Sequence, residues 1–111
     1  MNKRVIYIDI DGTICSQTNG DYTKAKPYSN AIKKVNTLYD DGNTIIIYTA
    51  RYMKRSNNNK DKAERIGYDL TFTQLKSWGL KFHELRMGKP HFDILIDDKA
   101  YNYNETWIND L

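Results

Sequence analysis

A chain of 111 residues, 40% hydrophobic and 28% charged, has the composition of one globular domain spanning 1–111 and leaves no room for a large lid. Seventeen basic and 14 acidic residues give a net charge of +3, too mild to demand a nucleic-acid partner. The single cysteine, Cys15, excludes an internal disulfide, and the apolar run after Lys3 and Arg4 is too short for a signal peptide or a membrane span. A cytoplasmic protein with no membrane contact is expected.

In chain order, the first element is the unbroken apolar run Val5-Ile6-Tyr7-Ile8, which reads as a strand buried on both faces. Residues 12–26 are polar and contain the turn dipeptide Asn19-Gly20, so a small hairpin flap is expected. From Ser29 to Asp41, Ile32, Val35, Leu38 and Tyr39 fall on one helical stripe, with Ser29 as N-cap and Gly42 as C′ residue. Ile45-Ile46-Ile47-Tyr48 is a second buried strand. Residues 52–68, with Lys54, Arg55 and three consecutive asparagines, read as a mobile loop leading into a helix. Thr71-Phe72-Thr73-Gln74 has a capping-box pattern and announces a helix that closes near Gly79, burying Leu75 and Trp78. A further strand is assigned to Lys81 to Leu85, and Ile94-Leu95-Ile96 is the last buried strand. The chain has no internal repeat.

Strands alternating with helices predict an α/β three-layer fold with a parallel central sheet. Ligands bind at the carboxyl ends of the strands in such sheets. Those ends carry Asp9-Ile10-Asp11-Gly12-Thr13, Thr49-Ala50-Arg51 and Asp97-Asp98-Lys99. Four carboxylates and a hydroxyl should therefore share one crevice. Such a group needs a cation, since mutual repulsion would otherwise protonate some of its members. Hard oxygen donors favour magnesium, and the scarcity of thiols and imidazoles argues against zinc. Magnesium, a lysine and a hydroxyl are what a phosphoryl group requires, because its transfer depends on positioning and charge neutralisation.

Asp9-Ile10-Asp11-Gly12-Thr13, Thr49, Lys89 and Asp97-Asp98 resemble, in order and strand context, the four motifs of the haloacid dehalogenase (HAD) superfamily. Gly88-Lys89-Pro90, Asp93 and Ile96-Asp97-Asp98-Lys99-Ala100 are further similar to the small capsule-biosynthesis phosphatases of that superfamily. The resemblance implies a Rossmann-like core without a cap domain and hydrolysis of a phosphomonoester through an aspartyl-phosphate. Asp9 would then be the nucleophile and a magnesium ligand. Asp11 would act as general acid and base, with its backbone carbonyl on the metal. Thr49 and Lys89 would hold the phosphoryl oxygens. Of the acidic pair, Asp98 would be the direct ligand and Asp97 the supporting one. The substrate class implied is a small phosphorylated metabolite, such as a sugar phosphate of capsule or surface polysaccharide synthesis.

Each of these residues also has a plainer reading. Asp97-Asp98 could cap a helix, and Arg51 could bind substrate or merely pair with a nearby acid. Lys54, Arg55, Lys60, Lys62 and Arg65 suit a solvated face, and His83 and His91 suit structural or exposed positions. Arg51 is placed first on a mobile basic rim, against the leaving group. A receiver-like signalling module would also gather aspartates, threonine, lysine and magnesium, but with the acidic pair first in sequence. A polynucleotide or protein phosphatase is the other alternative. With no cap domain, a small loop, a neighbouring subunit or the substrate itself must close the crevice.

Overall fold

The computed structural model describes residues 3–111. Three parallel strands, β1 (Val5–Ile8), β2 (Thr44–Thr49) and β3 (Glu84–Met87), form a sheet in the order β1-β2-β3. Ile6 pairs with Ile45 and Ile8 with Ile47, while Ile47 pairs with Leu85. Two helices make the crossovers, α1 (Ser29–Asp40) and α2 (Lys60–Ser77), and a last turn of helix, α3 (Trp107–Asp110), follows. The chain is thus an α/β protein with a parallel sheet. Among the described residues, no helix is long and apolar enough to cross a membrane.

The period of two along each strand sorts the side chains into two unlike faces. On one face Ile8, Ile45, Ile47, Leu85 and Met87 join a core with Ile32, Val35 and Leu38 of α1, Ala63 and Leu75 of α2, and Trp107 of α3. On the other face stand Val5, Tyr7, Tyr48, Glu84 and Arg86 around a buried Ile46. Tyr7 and Tyr48 meet edge to face at 5.7 Å, and the Arg86 guanidinium lies 5.5 Å over the Tyr7 ring and bonds its hydroxyl. No helix covers this second face among the described residues. The three-layer expectation is therefore met only as far as two layers in a single chain.

Helix α1 begins one residue earlier than Ser29 as N-cap would require: Tyr28 occupies that position, and no side chain caps the helix. Its end is as expected. Gly42 adopts φ +98, and the Gly42 and Asn43 N–H groups bond back to Tyr39 and Leu38. The second helix starts eleven residues before the expected Thr71. Asn59, the last of the three asparagines, accepts a hydrogen bond from Lys62 N and is the true cap, so Thr71–Gln74 lies in mid-helix. Trp78 is the C-cap and is only half-buried. The strand expected at 81–85 lies at Glu84–Met87.

The largest departure is Ile94–Ile96. It forms no strand, and Ile94, Leu95 and Ile96 are 79%, 55% and 95% exposed. The physical reason is that a strand needs a ladder partner, and none lies beside this segment in a single chain. Every residue from 91 to 106 is exposed, so the segment is an arm that leaves the body after β3 and returns at the buried Trp107.

Gly67 shows how tightly α2 meets the loop below it. A Cβ at this mid-helix position would collide with the Tyr52 ring. Gly to Ala in a helix interior ordinarily stabilises by about 0.5–1 kcal/mol. Gly67→Ala should instead destabilise by about 1–3 kcal/mol, the range for overpacking, in urea unfolding.

Candidate active site

The first turn after β1 fixes two carboxylates at one strand end. Thr13 N and Ile14 N both donate to Ile10 O, and Gly12 N donates to Cys15 O. Gly12 takes φ +82, and a Cβ there would stand 2.6 Å from Gln17 Nε2, so the turn requires glycine. Ile10 and Ile14 are fully buried, which leaves Asp9 and Asp11 facing outward from the core. Thr13 Oγ1 donates to Asp9 Oδ2 at 3.1 Å, and Gln17 Nε2 donates to Asp11 O at 3.3 Å. The segment 12–26 carries the expected tight turn at Asn19-Gly20 and closes at its base through an antiparallel bridge between Cys15 and Pro27, while a single 3-10 turn, Tyr22–Lys24, occupies its returning limb.

The second and third strands bring the remaining polar groups to the same edge. Thr49 ends β2 fully buried, and its Oγ1 accepts from Arg51 N at 3.1 Å. Lys89 N donates to Thr49 O at 3.1 Å, which carries the path of β3 forward beside β2. That places Lys89 Nζ 3.7 Å from Asp9 Oδ1. Asp9, Asp11, Thr49 and Lys89 thus line one open crevice of about 840 Å3, rimmed by Tyr22, Lys54 and Arg55. A smaller hollow of about 440 Å3 lies against α1, and its one acid, Asp40, is already paired with Lys81.

Burial pushes the Asp9 carboxyl above its ordinary range. Lys89, the Ile10 N–H and the Thr13 hydroxyl pull it part of the way back, and the neighbouring Asp11 charge adds slightly to the rise. Burial likewise drives the Cys15 thiol up to about 12, with Asp11 adding to the rise. Cys15 is a closed core residue, not a reactive thiol.

Arg51 is not on a mobile rim. Its side chain is fully buried, and Nε and Nη2 grip both Asp11 oxygens at 2.8 and 2.9 Å. Nη1 donates to Gln74 Oε1 at 2.7 Å, Gln74 Nε2 donates to Tyr22 O at 2.8 Å, and the guanidinium lies 4.7 Å from the Tyr22 ring centre. Of the two readings of Arg51, pairing with an acid is the one observed. Arg51 still lines the crevice, but its guanidinium is committed to Asp11 and Gln74. Arg55 instead reaches the rim, bonding Gly20 O at 2.6 Å and lying over the Tyr52 ring. Nothing local in the sequence marks Gln74 or Tyr22 as members of this network.

Asp97 and Asp98 do not enter the crevice of their own chain. Both are exposed on the arm, and Asp97 Oδ1 accepts from Lys99 N at 2.7 Å. Since Ile94–Ile96 is not paired into the sheet, nothing carries the two acids to its carboxyl edge. Among the described residues no three acidic, histidine or cysteine side chains gather in one place. Asp9 and Asp11 are nonetheless hard oxygen donors of the kind magnesium takes, and magnesium commonly uses only one or two protein carboxylates. The donor set fits such an ion in kind. Both Asp11 oxygens are held by Arg51 and its carbonyl by Gln17, however, so in a single chain Asp9 is the more open donor. His83 is structural: its Nδ1 accepts from Ile45 N at 3.1 Å and its ring stacks on Tyr39.

No protein-family model matches this sequence, and neither does any curated protein. The fold is similar to the crystal structure of a structural-genomics target from Vibrio cholerae, with a TM-score of 0.80 and 25% identity over 98% of this chain and 95% of that one.

Removing one partner of a buried pair strands the other, at a cost of about 3–5 kcal/mol. Arg51→Met should lose stability on that scale in urea unfolding, and Arg51→Lys should recover only part of it because a lysine cannot bond both Asp11 oxygens. Asp9→Asn should act in the opposite direction. A carboxyl whose folded pKa is raised supports the fold below its unfolded pKa and loses that contribution as pH rises through the folded value. Asp9→Asn should therefore raise the melting temperature at pH 7, with the gain vanishing as the pH falls towards 4. An unchanged difference across that range would contradict the assignment.

Proposed function

We propose that the chain is a phosphomonoester hydrolase of the HAD type, built on that superfamily's core without a cap domain, in which Asp9 carries the phosphoryl group. The observation that supports this reading most is the pairing of Asp9 Oδ1 with Lys89 Nζ at 3.7 Å, at the carboxyl edge of a parallel sheet beside Thr49. A carboxylate held against an ammonium in a crevice is placed to meet a phosphate dianion whose charge the lysine offsets.

In this proposal Asp9 attacks phosphorus, the ester P–O bond breaks, and the leaving oxygen takes a proton from Asp11. Water then attacks the aspartyl-phosphate, Asp11 takes up a proton from it, and free phosphate and the Asp9 carboxylate are restored. Magnesium, held by Asp9 and Asp11, would supply further neutralisation of the phosphoryl oxygens. Thr49 and Lys89 would orient those oxygens. To serve as acid and base, Asp11 must free one oxygen from Arg51. The guanidinium would then act as a positioning group that returns Asp11 to a fixed place after each turnover.

The crevice volume suits a metabolite-sized ligand, within the usual range of about 300–1,000 Å3. A small phosphorylated metabolite is therefore the substrate class, with a sugar phosphate of capsule or surface polysaccharide synthesis as the leading member. Lys54 and Arg55 at the rim would meet its leaving group.

Asp9→Asn should remove at least about three orders of magnitude from kcat on an aryl phosphate while the circular dichroism spectrum stays unchanged. Retention of more than a tenth of kcat would contradict the covalent mechanism. Exhaustive chelation should abolish turnover, magnesium should restore it, and calcium should do so poorly. Full activity after chelation would exclude the metal.

A further inference from the structure

The single chain carries two unsatisfied features that fit each other. One is the outer edge of β1, which has no ladder partner among the described residues and exposes Val5 at 66% and Tyr7 at 49%. A bare edge of apolar, β-branched residues is a template for another strand. The other is the arm, whose run Ile94-Leu95-Ile96 has the composition of a buried strand but is exposed. Exposure of three consecutive large aliphatic side chains is costly unless something covers them.

Both ends of the arm are fastened to their own body. Upstream, Lys89 N bonds Thr49 O and His91 N bonds Asn58 Oδ1, on the side of the sheet away from the β1 edge. Downstream, Trp107 is buried in the core and α3 packs on α1. Between these anchors the arm is held off the body. The likeness to the Vibrio cholerae structure covers 98% of this chain, so the aligned region takes in most of the arm.

We propose that two copies exchange these arms, each laying Ile94–Ile96 along the β1 edge of the other as a fourth parallel strand and thereby delivering Asp97 and Asp98 to the partner's crevice. A parallel pairing of Ile94–Ile96 beside Ile6–Ile8 sets the next residue, Asp97, next to Asp9. The exchange covers the exposed aliphatic run and closes the bare edge. It also supplies the acids that a single chain fails to bring to Asp9 and Asp11. Exchange of one identical element between two copies gives a closed, two-fold assembly. The pairing stands on the arm and the edge alone, whereas the use of the delivered acids rests on the phosphatase reading above.

Sedimentation and a mixing experiment test the proposal separately from that reading. The full chain at micromolar concentration should sediment with twice the mass of one chain. Ile96→Lys changes a residue that is 95% exposed in one copy, so it should fold normally by circular dichroism yet sediment at half that mass. Next, Asp9→Asn and the double variant Asp97→Ala/Asp98→Ala, each inactive on para-nitrophenyl phosphate with magnesium, are unfolded and refolded together. In an exchanged pair, half of the assemblies are mixed and each holds one intact site, so activity should return to about a quarter of the wild-type value. A single-chain mass for the wild type, a full double mass for Ile96→Lys, or no activity on mixing two double-mass variants would each overturn the proposal. Should the wild type show no phosphatase activity at all, the functional reading fails and the mass of Ile96→Lys alone decides the arm.

Discussion

The Arg51 guanidinium is buried, and a buried charge must be matched. Asp11 matches it through two short bonds. That one pair ties the turn after β1 to the end of β2. Through Gln74 it reaches α2, and through Gln74 and the ring of Tyr22 it reaches the loop over the crevice. Three separate segments thus converge on one cation. The position of Asp11 is a consequence, and the position of Asp9, two residues earlier on the same turn, follows from it. A site that must align a nucleophile and a proton donor gains from such a scaffold, because small misplacements cost rate heavily.

The second constraint is what the sheet lacks. Consecutive crossovers run from β1 to β2 to β3, and among the described residues the helices cover one face only. Tyr7, Tyr48 and Arg86 occupy the other face, where a tyrosine pair and a stacked guanidinium shield Ile46 without any covering layer. The side of β1 away from β2 is likewise bare among the described residues. An α/β domain ordinarily buries its central strand between neighbours. Here the strand that carries Asp9 is an edge strand of its own chain. In the proposed exchange, completion of the sheet and of the acid set is one structural problem, and the exposed arm would answer it.

The sequence was legible where local pattern and tertiary environment agree. Val5–Ile8, Ile45–Tyr48 and the stripe Ile32, Val35, Leu38 announced their elements because apolar periodicity reports the face that is buried. Gly42 announced its helix end because only a residue free to take φ +98 closes that turn. The clustering of Asp9, Asp11 and Thr49 followed from the rule that strand ends face the same way, whereas Lys89 entered through the family resemblance alone. Other features were not legible. Three asparagines at 57–59 read as a loop although the last one caps α2, and the polar face of that helix hid its first eleven residues. Arg51 read as a rim residue because its partner lies 40 positions away in sequence. Ile94–Ile96 read as a buried strand from its composition, yet it is exposed and unpaired, because composition alone does not place a ladder partner beside it.

The claim on which the functional account turns is that Asp9 itself is phosphorylated. An aspartyl-phosphate formed during turnover can be reduced by borohydride to homoserine, and peptide mass spectrometry locates the reduced residue. The account predicts homoserine at position 9 alone, formed only when substrate and magnesium are both present. Reduction at any other aspartate, or at no aspartate during active turnover, would contradict it.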